Sequence, residues 1–204
     1  MKRMTRSEQV ESNREAILDS AKEHFARFGY HGASLDAIAD AAGFSKGAIY
    51  SQFGSKDDLM LATLERNVRR RHDATAKLIA ALGDELRPED VLRHAYARSL
   101  EDAGWQAALI EFRIHASRHP AVNRQYAALH ERTIELTART LASQVARFGI
   151  VTDRSPRDLA IAHLASGLGL VVESFVIDGL DVVEYLSDLA LLLSPPVSTR
   201  RTET

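Results

Sequence analysis

An all-α fold follows from three observations on the 204-residue chain. Apolar residues recur at helical spacing through almost its whole length, and no segment alternates as a half-buried strand would. Glycine and proline are sparse, 11 and 5 residues, so long helices are readily accommodated. Near the N-terminus, two short helical segments are joined by a glycine turn within about 20 residues, the pattern of a helix-turn-helix.

Taken in order, residues 1–10 read as a flexible start. Lys2, Arg3 and Arg6 make it either a basic arm for phosphate or minor-groove contacts or a plain disordered terminus. Ser12-x-x-Glu15 predicts a capping box opening the first helix. Ile17, Leu18, Ala21, Phe25 and Phe28 form its buried stripe, and Gly29 stops it. Ser34 caps a second helix whose inner side holds Leu35, Ile38, Ala39 and Ala42. Gly43 ends it, because glycine enters the left-handed conformation without a Cβ penalty.

Ser45 caps a third segment holding Lys46, Gly47, Ala48, Ile49, Tyr50, Ser51 and Gln52. Ile49 and Phe53, at i and i+4, can anchor it to a core and leave Lys46, Gly47, Tyr50 and Gln52 facing elsewhere. Every charge from Ser45 to Lys56 is positive. A helix laid in a major groove needs that freedom from phosphate repulsion, small residues for close approach, and donors for phosphates and base edges. The same spacing also fits a short solvated helix of any all-α protein. Ser55, with Asp58 three residues on, caps a fourth helix from Lys56 to about Leu82, with Leu59, Met60, Leu64 and Val68 on one side. Arg66, Arg69, Arg70 and Arg71 in its middle read as a solvated, salt-paired face rather than a further DNA-facing patch. They lie roughly 15 to 20 Å along the helix from Lys56.

Gly83 to Arg87 is the first clear break. Pro88 opens a helix to about Asp102 that buries Val91, Leu92, Ala95, Tyr96 and Leu100. Gly104 precedes a helix carrying Trp105, Ala108, Leu109, Phe112, His115 and Ala116. Pro120 interrupts it, and the next helix runs to Phe148, where Gly149 closes it. Ser155-Pro156-x-Asp158 is a strong helix start. The helix that follows is apolar on more than one side, through Leu164, Leu168, Val171, Phe175 and Val176. Gly167 and Gly169 inside it cost about 1 kcal/mol each against alanine, which close helix–helix approach would offset. A last helix spans about Asp181 to Leu193, and residues 195–204 read as a disordered tail. Two apolar helices at the end of the chain either complete the core or give a two-fold dimer its four-helix bundle.

Net charge is −2, so any footprint for an anionic polymer must be local. The absence of cysteine excludes disulfides, thiolate metal sites and cysteine nucleophiles. No apolar run reaches the ~18 residues of a membrane span, and the polar N-terminus holds no signal segment, so a soluble cytoplasmic protein is expected. Of eight histidines, His115 and His119 lie at i, i+4 with Glu111 one turn earlier. His119 abuts Pro120, where a helix usually ends, and the HExxH arrangement is missing. There is no P-loop, Rossmann glycine string or GxSxG elbow. Neither metal, cofactor nor catalysis is expected. A helical adaptor that binds only protein, or an unrecognised enzyme without DNA binding, is the alternative reading.

The string ILDSAKEHFARFGYHGASLDAIADAAGFSKGAIYSQFGSKDDL resembles the N-terminal domain of the TetR (tetracycline repressor) family of bacterial transcriptional regulators, nearly unbroken over its length. The resemblance implies a ligand-responsive homodimeric regulator, most often a repressor. It implies a three-helix DNA-binding head at residues 1–56 and a helical effector-binding and dimerisation body at 57–194. By position, Lys46, Gly47, Ala48, Tyr50, Ser51 and Gln52 fall where the family's recognition helix meets DNA. Ser34, Ser45 and Lys56 fall where phosphates are held. The match is weaker at Asp36, a carboxylate near DNA, which is expected to face away or pair with a basic neighbour. The family also implies an effector pocket within the helices from Lys56 to Val176, for which Trp105, Phe112, His115, Tyr126 and Phe175 are lining candidates, with Arg113 and Glu173 as polar anchors. The dimer surface expected by position comprises Leu164, Gly167, Leu168, Val171, Phe175, Leu186, Leu189 and Leu193.

Overall fold

A computed structural model describes residues 5–87, 90–91, 93–94, 102–182 and 184–186. Among these residues the regular structure is helical throughout. The elements are α1 (Arg6–Gly32), α2 (Leu35–Ala42), α3 (Lys46–Phe53), α4 (Lys56–Leu82), a 3-10 turn (Gly83–Glu85), α5 (Ala103–Arg118), α6 (Pro120–Phe148) and α7 (Pro156–Glu173).

Helix α1 starts earlier than the sequence pattern suggests. The capping box is Thr5-x-x-Glu8, with the Thr5 hydroxyl accepting from Glu8 N–H at 3.2 Å and the Glu8 carboxylate accepting from Thr5 N–H at 2.6 Å. Ser12-x-x-Glu15 lies inside the helix instead. The residues between the two strings are mostly exposed, so no buried stripe marks the true start. Arg6 is the first helical residue rather than part of a free arm, while Lys2 and Arg3 lie outside the described residues. Phe28 is 49% exposed and does not join the stripe; Tyr30 is buried in its place. Gly29 makes the kink that turns the chain, at φ +71°.

The described residues group into two compact units. The first combines residues 1–74 with 98–133. Phe25, Ile17, Ile38, Ile49, Leu59, Met60 and Phe112 are its fully buried members, so α5 shares a core with the N-terminal helices. Helices α1 and α5 pack closely because Gly104 leaves room: a Cβ there would collide with the Ala26 carbonyl oxygen. Lys22 and Asp102 clamp the same end at 2.5 Å. Arg66 is buried rather than solvated, with Nη1 3.1 Å from the Glu15 carbonyl and 2.9 Å from Asp19 Oδ1. Arg70 reaches Glu15 and Asp19, and Arg69 and Arg132 both reach Glu65. The arginine group is thus salt-paired as expected, with α1 carboxylates as the main partners.

The second unit combines residues 75–97 with 134–204. Arg147 of α6 donates to the Gly83 carbonyl and lies 3.8 Å from Asp84. Ser155 caps α7, accepting from Asp158 N–H at 3.1 Å, with Pro156 at the first helical position. Ala160, Gly167 and Val171 form the buried side of α7, and Val182 and Leu186 are buried beyond it. Gly167, Val171 and Leu186 therefore face the interior of their own unit, not a partner surface. The exposed apolar stripe is a different one: Ile161, Ala165, Gly169, Val172 and Phe175, at steps of three and four. Leu164 and Leu168 are half-buried, while Leu189 and Leu193 lie outside the described residues, as do Leu92, Ala95, Tyr96 and Leu100 of the expected helix after Pro88. No helix among the described residues is long and apolar enough to cross a membrane.

Candidate nucleic-acid interface

Local chemistry sets α2 and α3. The Ser34 hydroxyl accepts from Ala37 N–H at 3.1 Å, and the Ser45 hydroxyl from Ala48 N–H at 3.2 Å. Each satisfies one of the N–H groups a helix start leaves free. Gly43 sits at φ +74°, ψ +27°, and its N–H returns to the Ala39 and Asp40 carbonyls. Ser20 of α1 donates to the Ile38 carbonyl at 3.0 Å and ties α2 to the core.

Ile49 and Phe53 bury one side of α3. Arg14 lies 4.7 Å over the Phe53 ring. Lys46, Gly47, Tyr50 and Ser51 are exposed, Tyr50 at 45%; Ala48 and Gln52 are half-buried. A Cβ at Gly47 would meet only Ser45 Oγ, at 3.9 Å, so the surface there is open. Asp36 does pair with a basic neighbour: both its oxygens lie 2.8 Å from Lys46 Nζ. That bond raises the Lys46 pKa, and the ammonium also lies 5.8 Å from the Tyr50 ring centroid.

Lys56 is committed within the fold. Its ammonium donates to the carbonyls of Tyr30, His31 and Ala33 at 3.0, 3.3 and 3.2 Å, and stands 4.7 Å over the Tyr30 ring. An ammonium has three donors, so this arrangement accounts for all of them. Burial lowers its pKa, with Asp57 and Glu111 opposing.

The joint beside it was not foreseen. Tyr30 donates to Asp57 Oδ1, and burial followed by that bond raises the phenol's pKa. His115 Nε2 approaches the same oxygen at 3.1 Å. Glu111 accepts from His31 N–H at 3.2 Å. His115 stacks on His119 at 4.0 Å between ring centroids, and burial lowers its pKa. Asp57 stands in the first turn of α4. No local signal links it to residues on α1 and α5.

The effector candidates separate. Trp105 and Phe112 are buried in the first unit's core, and His115 turns to Tyr30 and Asp57. Tyr126 meets Phe112 edge-on at 5.8 Å. Phe175 is 43% exposed in the second unit, which is not the setting of a pocket wall. Glu173 is exposed as well. An open groove of about 230 Å³ between α4 and α6 is lined by Asp58, Leu61, Glu65, Gln125 and Arg132 and holds none of the expected residues. Among the described residues, no group of three or more histidines, aspartates or glutamates is arranged to hold a metal ion.

Two short helices, a left-handed glycine between them and an outward second helix make a helix-turn-helix DNA-binding domain. Residues 17–63 match the family described as "Bacterial regulatory proteins, tetR family". The chain is 25% identical over 182 residues to the HTH-type transcriptional repressor AcnR of Corynebacterium diphtheriae, covering 89% of this chain and 90% of that one. Over 58 residues it is 47% identical to the HTH-type transcriptional activator FasR of Mycolicibacterium smegmatis, 28% of this chain and 26% of that one. Its fold is that of a TetR-family regulator from Rhodococcus sp., with a TM-score of 0.75, 21% identity, and 91% and 100% of the two chains covered. FadR from Bacillus subtilis, solved in complex with stearoyl-CoA, shares the fold at a TM-score of 0.67 and 17% identity, over 88% and 97% of the two chains. Residues 17–63 thus carry the N-terminal domain of the TetR family of transcriptional regulators, and the chain as a whole shares the fold of that family's solved members.

Proposed function

We propose that this protein is a homodimeric repressor that binds an operator through α3 and releases it when a small, partly hydrophobic ligand binds its helical body. The observation that carries the reading is the two-sidedness of α3: Ile49 and Phe53 are buried while Lys46, Gly47, Tyr50 and Ser51 are exposed without an acidic residue among them. In this reading Lys46, Gly47, Ala48, Tyr50, Ser51 and Gln52 meet the duplex, and the helix starts at Ser34 and Ser45 hold phosphates. Lys56 acts from within, by fixing the end of α1 beside them. The head is residues 1–56 and the body 57–194. Phosphate contact makes affinity fall steeply with salt, at a slope of about −0.9 per phosphate neutralised.

The partner of the second unit is a second copy of the chain. Support comes from the apolar stripe of α7 and from geometry: paired recognition helices must lie about 34 to 36 Å apart, or a multiple, to enter successive major grooves. The effector reading is supported by FadR from Bacillus subtilis, a protein of the same fold solved in complex with stearoyl-CoA. A protein that binds chromosomal operators works in the cytoplasm. Nothing on the described surface favours an adaptor or an enzyme.

Selection of duplexes from randomised DNA tests the reading. Wild type is expected to enrich a two-fold symmetric motif and to lose affinity steeply between low and moderate salt. Tyr50→Ala is expected to weaken binding to that motif by about tenfold. Enrichment of no motif, with salt-independent retention, would remove the DNA-binding role.

A further inference from the structure

The most buried cation among the described residues is answered by carboxylates, although its Nε and Nη2 make no hydrogen bond. Arg66 meets Glu15 and Asp19. Arg113 of α5 does not follow that pattern. It is half-buried, its Nε is shielded from solvent and makes no hydrogen bond, and its recorded neighbours are the Tyr126 ring at 5.7 Å and His130. The hydroxyl of Tyr126 is likewise buried; burial raises its pKa while the neighbouring Arg113 guanidinium opposes the rise, so the two groups face one another with no carboxylate between them. His130 lies one turn beyond Tyr126 on α6, the two rings stacked at 5.9 Å and 14°. A guanidinium cannot shed its charge as a lysine or histidine can, so one that is half-buried, with its Nε shielded and no carboxylate beside it, carries a standing penalty. All three groups belong to the first compact unit.

We infer that Arg113, Tyr126 and His130 form the anchoring end of the effector site, and that the effector carries a carboxylate. This rests on the reading of the protein as ligand-released. The guanidinium supplies one fixed charge and a fork of donors, and the Tyr126 hydroxyl a further donor. Burial and Arg113 both lower the His130 pKa, with Glu131 opposing, so the imidazole is neutral at pH 7. One net positive charge suits a monoanion better than a phosphate dianion. The Phe112 ring against Tyr126 gives the site an apolar flank for the carbon body.

The test uses the full-length protein and three matched series of straight-chain compounds of about six to ten carbons: carboxylates, primary alcohols and trimethylammonium salts. Affinity is measured calorimetrically, and release is read on the selected operator duplex. Carboxylates are expected to bind wild type and release DNA, with the matched alcohols about tenfold weaker. Arg113→Met is expected to remove that difference, Arg113→Lys to restore part of it, and Tyr126→Phe to reduce it by about threefold. Without ligand, Arg113→Met is expected to melt at a higher temperature than wild type, because an unanswered charge has been replaced by an apolar side chain of similar length. Alcohols or ammonium salts that bind as tightly as carboxylates and release DNA would overturn the carboxylate assignment and leave ligand release standing. So would undiminished carboxylate binding by Arg113→Met in a protein that melts normally. Failure of every series to bind would overturn both.

Discussion

At the scale of single residues, the exposed side chains of the interface are not independent of one another. Asp36 holds Lys46 Nζ between its two oxygens at the entrance to α3, with both side chains more than half exposed. A pair this exposed contributes little to stability. In the proposed complex its consequence is instead electrostatic: it would withhold one cation from the phosphates until an operator offers a better partner. Asp36→Asn is therefore expected to bind non-operator duplexes more tightly, with a salt slope steeper by about one unit, and to gain less on the operator, so that discrimination falls. Binding isotherms on both duplexes at several salt concentrations read this directly. An unchanged slope would mean that Lys46 is free of Asp36 in the complex already. The pairing of Asp36 with a nearby base was one of two outcomes legible in the sequence, the other being that it faces away. The role of Lys56 was not. Its three carbonyl partners lie 23 to 26 positions earlier in the chain, and only the kink at Gly29 brings them within reach.

At the scale of elements, what was legible was what is local. The caps Ser34, Ser45, Ser55 and Ser155 and the left-handed Gly43 depend on neighbours within four residues, and each stands where the sequence puts it. The start of α1 was missed because two successive cap strings, Thr5-x-x-Glu8 and Ser12-x-x-Glu15, differ only in tertiary context. Phe28 was misread because a helical stripe continues past the point where Gly29 turns the chain. The close packing of α1 on α5 was also invisible, since Gly104 reads as a simple breaker until the Ala26 carbonyl is seen against it. That contact fixes where α5 can lie, and with it Glu111 at His31 and His115 at Asp57. Gly104→Ala is expected to destabilise the fold by about 1 to 3 kcal/mol, because the obstruction is main chain and cannot swing aside. Urea unfolding measures it. The same substitution at Gly43, which has nothing within 4 Å, should cost only its left-handed conformation. Equal losses at the two sites would show that the α1–α5 approach is not under steric constraint.

At the scale of the whole molecule, the proposed function requires two heads, and the two sides of α7 give separable predictions about how they are joined. Ile161, Ala165, Gly169, Val172 and Phe175 form the exposed stripe, and a Cβ at Gly169 would meet nothing within 4 Å, which leaves room for a second backbone to approach. Val171, one residue from Val172, is buried within its own unit. The periodicity showed that α7 is apolar on more than one side, but not which side the chain itself covers, because that depends on contacts between distant segments. Val172→Asp is expected to leave helicity intact and to shift sedimentation from dimer to monomer. It should weaken operator binding far more than binding to a half-site, since two linked heads gain by effective concentration. Val171→Asp buries an unpaired charge and is expected to lower the melting temperature of the protomer itself. If Val172→Asp sediments as a dimer while Val171→Asp dissociates without unfolding, the covered and exposed sides of α7 are the reverse of those described. If both remain dimeric, the copies meet on another surface, and the spacing of the two recognition helices must be set there.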